Sequence, residues 1–182
     1  MTNGKGVIVL IGLMGAGKTS IGRKLAERLT LPFVDADDEI VNAAGCSIPD
    51  IFEIYGEPAF RDVEERVINR LLDEGPSVLA TGGGAFVNPQ VRAAIAAHGL
   101  SIWLKAELDV LVQRTARRTG RPLLNQGDPA RILGELMAER YPIYAEADMV
   151  VETGNESVND TLEVIMNALD DYATVDDGAS ET

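Results

Sequence analysis

Short apolar runs alternate along this chain with longer stretches whose apolar residues recur at helical spacing. Residues 7–11, Val-Ile-Val-Leu-Ile, form an unbroken and largely β-branched run, the pattern of a strand buried on both faces. After a glycine-rich turn, residues 18–29 set Ile21, Leu25 and Leu29 on one helical face. Pro32 ends that helix, and Phe33-Val34 begin a short second strand. Helices are predicted over 37–44 and over 59–72, the latter with Val67, Ile68, Leu71 and Leu72 on one side. Residues 77–81 read as a third strand, 89–97 as a helix, 100–104 as a fourth strand and 108–118 as a helix. A polar loop over 119–127 precedes a helix at 130–144, a fifth strand at 149–151 and a closing helix at 158–169. Strands that alternate with helices predict an α/β protein with a parallel sheet.

The chain has 182 residues, which suits a single domain, here assigned to 1–172, without an internal repeat or linker. Residues 173–182 are small and acidic and lack apolar periodicity, so they read as a disordered tail. The net charge is −13, and it falls only to −8 without residues 170–182. Such a field repels polyanions, which argues against nucleic acid and anionic membranes as partners. No apolar run is long enough to span a bilayer, and the first residues lack a signal-peptide pattern. One cysteine, Cys46, permits no internal disulfide and fits a reducing cytoplasm. One histidine, His98, excludes a histidine metal cluster; it falls at a helix end, where it suits a cap.

Candidate chemistry begins at Gly12-Leu-Met-Gly-Ala-Gly-Lys18-Thr19, a full GxxxxGK[ST] motif between a strand and a helix. In such a loop the backbone N–H groups of Gly15, Ala16, Gly17, Lys18, Thr19 and Ser20 surround phosphates, at a helix N-terminus that adds partial positive charge. Lys18 would reach the β- and γ-phosphates and the Thr19 hydroxyl would face Mg²⁺. ATP or GTP is the implied ligand. No aspartate ends the third strand; carboxylates appear instead at Asp35 and Asp37. Two residues apart in extended chain, they would point the same way, one near Mg²⁺ and one as a base, or else cap the next helix. Gly82-Gly83-Gly84 follow the third strand, where ligands approach open α/β sheets, unless they serve only as an exit turn. Arg114, Arg117, Arg118 and Arg121 share an eight-residue window without an acid, and guanidinium groups pair with phosphates and carboxylates. Gathered in one cleft, the candidate ligand-binding bases Lys18, Arg61, Arg114, Arg121 and Arg140 predict a positive pocket in an acidic protein.

The motifs GLMGAGKTSIGRKLA, FVDADDEI, FRDVEERVI, ATGGGA, RPLL and ERYPIYAEAD follow one another in that order. With them the chain resembles the shikimate kinases over residues 7 to about 165. The resemblance implies a three-layer α/β/α fold of the P-loop nucleoside-monophosphate-kinase type, with a five-stranded sheet ordered 2-3-1-4-5. It implies transfer of the γ-phosphoryl group of ATP to the 3-hydroxyl of shikimate, with Mg²⁺, by a cytoplasmic monomer. It places acceptor binding at about 35–64 and a lid at about 115–127. Asp37, Arg61, Gly83 and Arg140 match the shikimate contacts, flanked by Gly82 and Gly84, with Asp37 as candidate base and Glu64 orienting an arginine. Asp35 matches a position near Mg²⁺ and Arg121 a lid arginine that reaches the phosphates. Arg114 matches a residue stacked on adenine, and 152–156, which contains Asn155, a second adenine loop. The rival readings are a P-loop kinase for gluconate or a nucleoside monophosphate, and a nucleotide-binding domain without catalysis. The combined motifs and the filled catalytic positions disfavour both.

Overall fold

A computed structural model describes residues 6–116 and 128–179, the last six of these by backbone alone. Five strands, β1 (Val7–Ile11), β2 (Phe33–Asp35), β3 (Ser77–Ala80), β4 (Gly99–Ala106) and β5 (Met149–Thr153), form one parallel sheet. Its order is β2-β3-β1-β4-β5, as the resemblance implies. β1 is central and every residue of it is buried, which accounts for its unbroken apolar run: helices cover both faces of a parallel sheet. These are α1 (Lys18–Leu29), α2 (Ala36–Ala44), α3 (Ile48–Asp73), α4 (Pro89–His98), α5 (Leu108–Ala116), α6 (Pro129–Tyr144) and α7 (Val158–Ala179).

The topology itself makes a crevice. β1 lies between β3 and β4, so the chain leaves its central strand toward one side first and the other later, and ligands bind at such a switch point. The register puts Leu10, Ala80 and Asp35 side by side at one level of the sheet. The turn after β1, the glycines after β3 and the carboxylate that ends β2 therefore reach the same edge together.

Four elements depart from the sequence reading. α3 begins at Ile48, eleven residues before the predicted start, with a capping box between Ser47 and Asp50. It is kinked at Gly56 (φ 81°, ψ 171°) just before Pro58. A proline inside a helix removes a donor and disfavours helical geometry before it, so the two halves form one element with a bend. β4 and β5 both run two residues past the predicted limits, to Ala106 and Thr153, where they pair with each other. Finally, the backbone of α7 stays helical to Ala179, into the stretch whose composition reads as disorder. Tyr172 packs against the core from that helix and extends its anchorage past Leu169. His98 is the last residue of α4, exposed at the end where a basic group suits the helix dipole.

Candidate active site

The phosphate loop is held by contacts on both sides. Gly17 takes φ 98° as it starts α1, a backbone state that favours glycine. Gly12 lies so close to β4 that a Cβ there would sit 2.8 Å from the Leu104 carbonyl oxygen. Lys18 is folded back on the loop, with Nζ donating to the Gly12 and Leu13 carbonyls at 2.7 and 3.0 Å. Across the loop, Arg114 of α5 donates from Nη1 to the Gly15 and Ala16 carbonyls at 3.2 and 3.3 Å and from Nη2 to the Gly154 carbonyl. It thus ties the phosphate loop to the turn after β5. In that turn Glu156 accepts from the Gly154 N–H and the Thr161 hydroxyl at 2.6 and 3.2 Å. The Gly154 N–H holds the Glu156 carboxyl below its ordinary range.

Asp35 caps a helix, one of the alternatives the sequence left open, and also meets the phosphate loop. Its Oδ1 caps α2 by accepting the Asp37 N–H at 3.1 Å, while its Oδ2 accepts the Thr19 hydroxyl at 3.1 Å. The assumption of an extended Asp35–Asp37 pair fails, because the strand ends at Asp35 and Asp37 lies in the first turn of α2. Asp37 instead faces the glycines: a Cβ on Gly82 would lie 3.1 Å from Asp37 Oδ1 and 3.2 Å from Glu64 Oε1.

Arg61 and Glu64 sit one turn apart on α3. Glu64 is the one charged residue on the stripe that α3 buries. Arg61 donates to Glu64 at 2.7 Å and, from the other side, to Glu57 at 3.1 Å. Burial pushes the Glu64 carboxyl above its ordinary range, against the opposing pull of Arg61, and the charge of Asp37 adds to the rise. Arg140 approaches from α6. Its Nη1 would lie 3.3 Å from a Cβ on Gly83, and its Nε is buried without a hydrogen-bond partner. Beneath it the Tyr144 hydroxyl donates to the Gly83 carbonyl.

All of this opens on one cleft of about 880 Å³. Of the residues singled out from sequence, Gly15, Gly17, Lys18, Thr19, Ser20, Asp35, Asp37, Arg61, Glu64, Gly82, Gly83, Gly84, Arg114 and Arg140 line it. Ala16 is buried beneath the loop, and Asn155 is exposed on the β5 turn, where Glu156 and Ser157 face the cleft instead. Arg117, Arg118 and Arg121 lie outside the described residues, as does most of the lid expected at 115–127. The sequence reading missed an apolar wall of Ile48, Phe52 and Phe60. Phe52 and Phe60 lie 4.6 Å apart, ring to ring. The spacing of Ser47 and Asp50, a capping pair, was the available signal.

The positive pocket that the clustered bases predict is described only in part, since Arg121 lies outside the described residues. Lys18, Arg61, Arg114 and Arg140 share the described lining with Asp35, Asp37, Glu64 and Glu156. At Arg61 a buried acidic partner, Glu64, holds the guanidinium in place. No group of three or more histidine, cysteine or acidic residues among the described ones is arranged to hold a metal. A hydroxyl beside a carboxylate, as at Thr19 and Asp35, does fit Mg²⁺, which keeps several waters and takes its other ligands from phosphate oxygens.

Comparison with known proteins gives a consistent result. The family model described as shikimate kinase matches residues 14–170. A shikimate kinase of Mesorhizobium japonicum is 51% identical over 173 residues, 95% of this chain and 85% of the relative. One of Paramagnetospirillum magneticum is 56% identical over 165 residues, 91% of this chain and 85% of the relative. The solved structure of shikimate kinase from Acinetobacter baumannii in complex with shikimate superposes with a TM-score of 0.85 at 40% identity, over 90% of this chain and 92% of that one.

Proposed function

The chain belongs to the shikimate kinase family, and from that premise we propose how its cleft transfers the γ-phosphoryl group of ATP to the 3-hydroxyl of shikimate. The observation that carries the proposal is the continuity of the cleft: the phosphate loop and the Asp37–Arg61–Arg140 group line one space. A donor and an acceptor can therefore meet there without crossing solvent.

The ATP phosphates lie along the loop from Gly15 to Ser20, and Lys18 leaves its two carbonyl partners to neutralise the β- and γ-phosphates. Arg114 and the turn containing Asn155 bound the adenine end. Shikimate is an anion, and Arg61 and Arg140 grip its carboxylate, since guanidinium pairs with carboxylate through two parallel donors. Glu64 keeps Arg61 aimed, and the backbone of Gly82, Gly83 and Gly84 closes against the ring. Asp37 binds the ring hydroxyls and accepts the proton of the reacting one. The hydroxyl oxygen then bonds to the γ-phosphorus, the bond from γ-phosphorus to the β–γ bridging oxygen breaks, and its electron pair leaves with ADP. Thr19 and Asp35 would hold Mg²⁺, whose contribution is to neutralise phosphate charge. Arg121 is the lid group that would complete neutralisation, in a site kept dry so that water does not take the phosphoryl group. A cytoplasmic monomer that binds neither nucleic acid nor membrane belongs to the same proposal; the acidic charge speaks against polyanionic partners and the single cysteine suits a reducing cytoplasm. Among the described residues no helix is long and apolar enough to cross a membrane.

The test is calorimetric titration of shikimate into the wild type and Arg61→Ala. Loss of one charge-assisted contact predicts an affinity about 10- to 150-fold weaker. An unchanged affinity would refute the assignment of the acceptor site.

A further inference from the structure

Tyr144 touches the site from behind. Its side chain is fully buried and is held edgewise by Trp103 at 5.8 Å and Phe86 at 6.5 Å between ring centres. The hydroxyl donates to the Gly83 carbonyl and lies beside the positive charge of Arg140. Burial pushes its pKa up to about 12, so the proton stays on the oxygen throughout the neutral range and the donor direction is fixed. Two parts of the cleft wall thus meet at one oxygen. Arg61 has two carboxylates to orient it, Glu57 and Glu64; Arg140 has this hydroxyl. The peptide consequence is as direct. A trans peptide carries its carbonyl and the following N–H in opposite directions. Tying the Gly83 carbonyl to Tyr144 therefore turns the Gly84 N–H away from the core.

We propose that Tyr144 is a positioning residue for the acceptor: its hydroxyl sets the direction of both the Arg140 guanidinium and the Gly83–Gly84 peptide. This rests on the acceptor-site reading above. The aromatic ring fills the core, and the hydroxyl is what serves binding. The two roles separate in Tyr144→Phe, which keeps the ring.

The experiment measures KM for shikimate and for ATP, with thermal midpoints, in Tyr144→Phe, Arg140→Ala and the double variant. Tyr144→Phe should raise the shikimate KM about tenfold, the scale of one lost hydrogen bond, and leave the ATP KM within about twofold. In the Arg140→Ala background the same change should have a much smaller effect, because the two groups act as one unit. An unchanged shikimate KM in Tyr144→Phe, an equal rise for both substrates, or full multiplication in the double variant would overturn the proposal. If Arg140→Ala leaves the shikimate KM unchanged, the acceptor-site reading fails and this one with it. Gly83→Ala reaches the same joint without touching the core, since its Cβ would lie 3.3 Å from Arg140 Nη1 and 3.7 Å from the Tyr144 hydroxyl. It should raise the shikimate KM at an unchanged midpoint, and no rise would also overturn the proposal.

Discussion

Gly84→Ala is the sharpest steric probe of the acceptor site. The backbone at Gly84 (φ −94°, ψ −16°) suits any residue, so alanine introduces no conformational strain there. What it meets is Arg61: the new Cβ would lie 2.5 and 2.6 Å from the two terminal guanidinium nitrogens and 2.8 Å from Cζ. A normal contact is nearer 3.5–4 Å, so the guanidinium must retreat by about 1 Å. It cannot do so and keep its 2.7 Å contact with Glu64, which is buried and does not follow. A charge-assisted hydrogen bond lost from the bound state costs about 1.5–3 kcal/mol, or a shikimate KM raised about 10- to 150-fold. Lys18 and the phosphate loop lie outside this contact, so the ATP KM should stay within about twofold. Steady-state kinetics with each substrate varied at saturation of the other supplies both numbers. An unchanged shikimate KM, or an equal rise in both, would show that Arg61 does not serve the acceptor.

Two further predictions concern the frame rather than the site. Gly22 is buried in α1, and a Cβ there would lie 2.6 Å from Phe33 Cε2 and 3.1 Å from Leu10 Cδ1. Overpacking of about 1–3 kcal/mol outweighs a helix-propensity gain of about 1 kcal/mol. Gly22→Ala should thus lower the thermal midpoint by about 2–8 °C with both KM values intact, and a raised midpoint would contradict the packing. Glu39 on α2 accepts Arg70 of α3 at 2.6 Å, and that hydrogen bond holds its carboxyl below the ordinary value of 4.5. Its stabilisation is full above the unfolded pKa and is lost as pH falls through the lower folded one. Both groups are partly exposed, so Glu39→Gln should cost only about 0.5 kcal/mol at pH 7. The two proteins should converge in denaturant stability at acid pH; a difference that grows toward acid would reverse the sign.

The strands and the phosphate loop were legible because each rests on local signals, whereas the strand order came from the family resemblance. β1 is an apolar run because both its faces are covered, and GxxxxGK[ST] needs its glycines in a fixed order. The geometry around Asp37 was not legible, since it depends on where β2 ends. Asp35 caps α2, and that single residue turns an assumed extended pair into one carboxylate at the phosphate loop and another facing Gly82. The first half of α3 was not legible, because Pro49, Gly56 and Pro58 interrupt its helical pattern; Pro49 lies in the first turn of the helix, and Gly56 and Pro58 lie at its kink. With it went Ile48 and Phe52, whose place on the cleft wall depends on the kink. Charge was legible only in part. Clustered bases predict a positive pocket only if their partners are elsewhere in the fold, and Glu64 lies beside Arg61 because three residues span one helical turn.

The event on which everything above depends is the passage of a phosphoryl group from ATP to shikimate in this cleft. Phosphorus NMR of the protein with ATP and Mg²⁺, recorded with shikimate, with gluconate and with neither, tests it most directly. ATP should become ADP and a new phosphomonoester only when shikimate is present. ATP loss at the same rate without shikimate, or a phosphomonoester formed equally from gluconate, would contradict it.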